Sequence, residues 1–201
     1  MDVFEAIETR RSVKRFDPDH RMTPEEEARL MRAALLAPTA FNIQHWRFVI
    51  VRDPELRARL REASWGQAQV TDCSLLVVVC ADVRAWDKEP ERYWRNAPPE
   101  VQRQIVPMIR KFYERDPQLA RDEAQRSCAF AAENLMLAAR GLGYDSCPMD
   151  GFDPVRVAEL IHLPEDHLVS MFVAIGKALE PARPRAGQLD LEEVRFYDRF
   201  P

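Results

Sequence analysis

Two apolar runs of strand length constrain this chain more than any other feature. SLLVVVCA (residues 74–81) and LVSMFVAI (168–175) contain almost no polar side chains. A strand that alternates between core and water would carry a polar residue at every second position. These runs instead predict strands covered on both faces.

Helix signals lie around and between the runs. Thr23-Pro24-Glu25-Glu26 has Thr as cap, proline at the first helical position and Glu three residues after the cap. The helix it opens carries Leu30, Ala33, Ala34 and Ala37 and stops before Pro38. Arg47–Val51 reads as a strand, and Asp53-Pro54 starts a short helix. From Arg121 to Gly143, Cys128, Ala131, Leu135, Ala138 and Leu142 recur at helical spacing, and Gly141-Leu142-Gly143 supplies the stop. Tyr144–Pro148 is short and extended, and Asp153-Pro154 opens another helix. Residues 82–117, rich in Arg, Glu, Pro and aromatics, read as a helical excursion interrupted by Pro98-Pro99 and Pro107. Residues 180–201 read as an extended arm with few side chains that need burial. The expectation is one α+β domain spanning 1–201.

Charge and composition exclude some function classes. The formal charge is −4, which argues against a nucleic-acid binder, because that needs a positive face. No apolar run approaches the roughly 20 residues of a membrane span, and MDVFEAIETRRS has no apolar signal core. Cys73, Cys80, Cys128 and Cys147 are widely separated, which suggests a reducing cytoplasm. His20, His45, His162 and His167 form no metal-ligand spacing, so no metal is expected.

Against that acidic background, RRSVKRF (10–16) packs Arg10, Arg11, Lys14 and Arg15 around Ser12. Cations at a helix C-terminus complement its dipole; alternatively, arginine forks and a hydroxyl form an anion site. Four further stretches bear on the choice. APTAFNIQHWRFVIV (37–51) offers small and amide-bearing groups that can bond a heteroaromatic edge, or simply cap neighbouring backbone. SWGQAQVTDCSLLVVV (64–79) places Gln67 and Gln69 just ahead of the buried strand. GLGYDSCPMDGFDP (141–154) contains the turn Pro148-Met149-Asp150-Gly151, where glycine permits close approach of a flat ligand. ARPRA (182–186) is a second cationic cluster that could converge on the same anion.

In this order and spacing, the five stretches resemble the FMN-dependent nitroreductase family over almost the whole chain. RRSVKRF is similar to the family's phosphate and flavin segment, APTAFNIQHW to its S-x-x-N-x-Q-P-W element, GQAQVTDCS to its strand-entry segment, and CPMDGFDP to its P-x-E-G-F turn. The resemblance implies a central mixed, mainly antiparallel sheet flanked by helices, in a domain-swapped homodimer with a C-terminal arm. It implies FMN at each subunit interface and NADH or NADPH as co-substrate. Hydride would pass in ping-pong fashion to a small-molecule acceptor such as a nitroaromatic or quinone.

On these positions, Arg10 and Ser12 would bind the phosphate and ribityl chain with Arg11 beside them, and Lys14 would lie near the pyrimidine edge. Arg183 and Arg185 would complete the phosphate site. Pro38, Thr39, Ala40 and Asn42 would come from the other subunit. Gln69 and Gln67 would face the pyrimidine end. Pro148, Met149, Asp150 and Gly151 would form the turn whose backbone faces flavin N5, with no side-chain acid or base needed. Trp94, Phe112 and Tyr113 are candidates for the acceptor pocket or for packing.

Three positions depart from the pattern. Thr39 and Ala40 replace two serines, Asp150 replaces Glu, and His45 stands in place of a proline, where it either alters the loop or faces solvent. Specialised relatives of the same fold (dehalogenase, enone reductase, flavin-fragmenting enzyme) and a non-catalytic flavin module are the alternatives.

Overall fold

A computed structural model describes residues 1–200. The two apolar runs are adjacent strands, β2 (Leu75–Asp82) and β4 (His167–Gly176), paired antiparallel from Leu75↔Ile175 to Asp82↔His167 with a bulge after Val79. β1 (Trp46–Val51) borders β2 and β3 (Asp145–Met149) borders β4, giving the order β1-β2-β4-β3 with every pair antiparallel. The expected mixed character shrinks to one isolated parallel bridge, Ser12↔Ser146.

Every residue of β2 is buried, as its composition requires. Leu75, Val77, Val79 and Ala81 face one layer, made by α2 (Pro24–Leu35) and α6 (Pro117–Gly141). Leu76, Val78 and Cys80 face the other, made by α3 (Pro54–Ala63), α7 (Pro154–Leu160) and the anchors Val13 and Phe16. α1 (Val3–Thr9) lies against α6, and α4 (Gln69–Asp72) leads into β2.

Local chemistry explains the boundaries. Thr23 Oγ1 accepts from the Glu26 amide while Glu26 returns a bond to the Thr23 amide, closing the capping box of α2. α6 begins at Asp116-Pro117, earlier than its apolar stripe indicates, because Asp116 Oδ1 caps the amides of Gln118 and Leu119.

The excursion holds two short 3₁₀ turns and α5 (Pro99–Glu114). Pro99 starts α5, and Pro107 does not interrupt it, contrary to the sequence expectation. Pro107 and Arg103 both lie on the exposed face, so the carbonyl that loses its amide partner can meet water. The opposite face is held by buried Val106, Ile109 and Tyr113.

The tail also differs from expectation. Apart from α8 (Leu191–Val194) it is irregular, and it exposes Leu179, Leu189, Leu191, Val194, Phe196, Tyr197 and Phe200. These apolar groups stay 46–76% exposed within the protomer. No helix among the described residues is long and apolar enough to cross a membrane.

Candidate active site

The cationic stretch lies along the free edge of β3. α1 ends at Arg10, whose amide donates to the Ala6 carbonyl at 2.9 Å. The chain then runs extended beside Ser146, where the Val13 amide donates to the Ser146 carbonyl at 3.0 Å. Buried Val13 and Phe16 anchor this run and leave Ser12, Lys14 and Arg15 exposed. ARPRA returns to the same place: Arg11 Nη2 donates to the Arg183 carbonyl at 2.5 Å, and Arg185 Nη2 lies 3.4 Å from the carbonyls of Glu8 and Arg10. Two clusters some 170 residues apart therefore meet, as the anion-site reading expects.

Their chemistry is unbalanced toward positive charge. Arg10 Nη1 is buried without a hydrogen-bond partner, and its Nε is 4.0 Å from Glu133, a marginal contact. Among the described residues no carboxylate pairs with Arg11, Arg183 or Arg185. Ser146 Oγ, next to Ser12, is likewise buried and unpartnered. A guanidinium N–H without an acceptor is costly; a phosphate oxygen would satisfy it. Lys14 Nζ lies 3.3 Å from Cys147 Sγ, further along β3.

The turn after β3 closes this half of the site. Gln67 Nε2 donates to the Gly151 carbonyl at 2.8 Å, and Gln69 Nε2 donates to Gln67 Oε1 at 3.0 Å. Met149 is buried in the core, whereas Asp150 is exposed. A Cβ at Gly151 would lie 3.0 Å from both Gln67 Nε2 and Trp65 Cζ3, so glycine lets these two side chains sit tightly against the turn.

The other candidates lie elsewhere. The segment after α2 enters β1 at the opposite edge of the sheet, three strand spacings or roughly 14 Å from β3. Here Phe41, Asn42 and Gln44 all have positive φ (54°, 58° and 54°). The excursion holds them: Asn42 Nδ2 donates to the Tyr93 carbonyl at 2.8 Å and Trp94 Nε1 to the Phe41 carbonyl at 2.9 Å. The Ala40 amide points to Glu123 Oε1 at 3.3 Å, and Thr39 Oγ1 accepts from the Gln44 amide. Pro38 is exposed. A single protomer thus leaves Pro38–Asn42 apart from Arg10–Lys14, Gln67–Gln69, Pro148–Gly151 and Arg183–Arg185. Of the aromatic pocket candidates, Tyr113 is enclosed by Phe41, Phe112, Trp86 and His45, and burial pushes its phenol above its ordinary range. Trp94 and Phe112 are half-buried.

His45 is fully buried rather than facing solvent. Its Nδ1 pairs with the Asp82 carbonyl at 3.0 Å and its Nε2 has no partner. Burial holds its pKa below 6.5, so the folded state keeps it neutral while the unfolded chain binds a proton. Stability is therefore complete above about pH 6.5 and is lost as pH falls toward the depressed folded value, by up to about 1.4 kcal/mol per pH unit. Chemical denaturation of the wild type and His45→Phe from pH 7 to 5 should show the wild-type curve falling away from the variant's. Parallel curves would mean that His45 is already charged in the fold.

Asp82, Asp166 and His167 bring ligand-type atoms close together. Lys88 Nζ already sits between the carboxylates, at 3.0 Å from Asp82 and 2.6 Å from Asp166. That ammonium supplies the positive charge a metal would bring.

Residues 7–177 match the model of the nitroreductase family. The chain belongs to that family. It is 62% identical over 182 residues to Protein DrgA of Synechocystis, covering 90% of this chain and 87% of that one. It is 34% identical over 199 residues to a protein of Thermus thermophilus named NADH dehydrogenase, covering 96% and 95%. Among solved structures, an Exiguobacterium sibiricum protein described as a nitroreductase in complex with FMN superposes with a TM-score of 0.91 at 29% identity, covering 98% and 97%. The nitroreductase fold is therefore shown.

Two residues that touch the candidate segments escape the sequence reading. Glu123 reaches the 39–44 loop from mid-helix, a contact with no local signature. Trp65 sits after a helix in Ser-Trp-Gly, which signals a helix end but says nothing of where the indole goes.

Proposed function

We propose that this nitroreductase-family protein is an FMN-dependent oxidoreductase that takes hydride from NADH or NADPH. It passes reducing equivalents to nitroaromatics, quinones or related flat acceptors. The observation that carries this reading is the buried, unpartnered Nη1 of Arg10 at the place where RRSVKRF and ARPRA meet. FMN, when bound, supplies the redox chemistry, receiving hydride and handing it on.

The protein's part is grip and electrostatics. Arg10, Arg183 and Arg185, with Ser12, hold the phosphate and ribityl chain, and Arg11 fixes the returning ARPRA backbone. Lys14, with Gln69 and Gln67, faces the pyrimidine end, where a cation and amides favour the reduced, negatively charged state. The backbone of Met149–Gly151 presents its donors toward the reacting edge, so no side-chain acid is required. Pro38, Thr39, Ala40 and Asn42 cover the cofactor from the partner subunit, which accounts for their distance from the cations within one chain. The apolar arm supports a homodimer, because exposed apolar residues such as Leu189, Leu191, Tyr197 and Phe200 suit burial against a second copy.

The test is direct. The purified protein should be a yellow dimer on sizing that releases FMN on denaturation and is bleached anaerobically by NADH or NADPH. Protein that stays colourless after incubation with FMN overturns the reading. Flavin that neither nicotinamide reduces indicates the non-catalytic module instead, and an FMN-loaded monomer removes the two-subunit site.

A further inference from the structure

Trp65 is the one exposed tryptophan of the chain's four, at 73% of its full accessibility. Its backbone lies at φ 55° and is followed by Gly66 at φ 76°. A bulky residue in the left-handed region is an outlier that its surroundings have to impose. Here the end of α3 imposes it: the Trp65 amide donates to the Glu62 carbonyl at 3.1 Å and the Gly66 amide to the Arg61 carbonyl at 2.9 Å. Arg61 Nε then clamps the Gly66 carbonyl at 3.1 Å.

The same helix end is stapled to the turn after β3. The Asp153 amide donates to the Ala63 carbonyl at 2.8 Å, and Gln67 binds the Gly151 carbonyl. The strained backbone thereby delivers the indole edge onto Gly151, close enough that a Cβ there would lie 3.0 Å from Cζ3 and crowd it. The rest of the ring stays open to solvent. A large apolar side chain, held at a backbone cost and left unburied beside the turn, contributes little to the core.

Resting on the functional reading above, we propose that Trp65 is a specificity-determining residue. Its indole forms a stacking wall beside the Met149–Asp150–Gly151 turn for the flat ring of the electron acceptor. An indole face attracts aromatic rings by dispersion and by its quadrupole, most strongly in offset or edge arrangements. Flat, electron-poor acceptors gain from this wall, and a compact inorganic oxidant such as ferricyanide does not.

The experiment uses the FMN-loaded protein and its Trp65→Ala and Trp65→Phe variants, with a naphthoquinone and ferricyanide as acceptors. Trp65→Ala should lower kcat/KM for the naphthoquinone about fivefold to tenfold, the size of one aromatic contact, while Trp65→Phe stays within about twofold. Ferricyanide reduction, FMN affinity and dimer elution should be unchanged in both. Independently of turnover, FMN titration should quench less tryptophan fluorescence in Trp65→Ala than in the wild type, because the exposed indole beside the Met149–Gly151 turn is gone. An equal loss with both oxidants, unchanged naphthoquinone kinetics, or a Trp65→Ala protein that elutes as a monomer would overturn the proposal. A wild-type protein that never retains FMN removes the functional reading itself, and is seen before any variant is made.

Discussion

Asp82→Ala is expected to lower the melting temperature by about 6–12 °C, corresponding to about 3 kcal/mol in a chain of this length. The Asp82 side chain is 1% exposed at the end of β2. Lys88 Nζ contacts both of its oxygens at 3.0 Å, Arg47 Nη2 one of them at 2.9 Å, and the Arg84 amide donates to Oδ1 at 3.0 Å. Breaking a buried pair by removing one partner typically costs 3–5 kcal/mol, because the remaining charge stays desolvated. Arg47 and Lys88 are over a third exposed, and Lys88 keeps Asp166, so the low end of that range applies.

The loss also reaches the proposed site. Residues 82–88 begin the excursion that holds Asn42 and Phe41, and the Asp82 backbone pairs with His45 at the end of that loop. Thermal unfolding followed by circular dichroism checks the magnitude. A shift below about 2 °C would mean that water replaces the carboxylate at little cost, placing the network among surface ion pairs.

Features with a local cause were legible in the sequence. Thr23 and Asp53 announce their helices because capping is settled within three residues, and the two apolar runs announce central strands because every side chain agrees. Pro107 misled because its effect depends on which face of α5 it occupies, and the excursion's pattern does not reveal that face. The start of α6 at Asp116-Pro117 is hidden because it falls at the end of the helical excursion read over 82–117, ahead of the apolar stripe that begins at Cys128. The prolines of the arm mask its apolar character: Leu189 and Phe200 stay 70% and 76% exposed in their own protomer.

The site divides along the same line. Arg10–Lys14 and Arg183–Arg185 stand out as cations in an acidic chain, and the turn at Gly151 as a glycine after a proline. Their meeting along β3 is a product of sheet order, which no local pattern encodes. Trp65 against Gly151, Glu123 beneath Ala40 and buried His45 depend on contacts of this non-local kind. Within one protomer the 38–42 loop lies at the opposite edge of the sheet from the cations, so the proposed site brings them together only across two copies of the chain.

Arg10→Ala should weaken FMN binding by roughly 1.5–3 kcal/mol, about tenfold to 150-fold in Kd, the scale of a hydrogen bond to a charged group. Two explanations of the cationic stretch compete, and Arg10 separates them. If the cations only complement the end of α1, each is worth roughly 0.3–1 kcal/mol of stability, and FMN affinity should not respond. Geometry favours the anion site. Arg10 turns its Nη1 inward without a partner, whereas a cation serving a helix end would direct its N–H groups to the last carbonyls or to water. Arg15→Ala is the control, since Arg15 is exposed, lies in the same run and has no hydrogen bond to ARPRA. Fluorimetric titration of the apoprotein with FMN should show the loss for Arg10→Ala alone, shrinking at high salt as screening weakens the wild-type attraction. Equal affinities across the three proteins would return RRSVKRF to a helix terminus and remove the phosphate grip on which the flavin assignment rests.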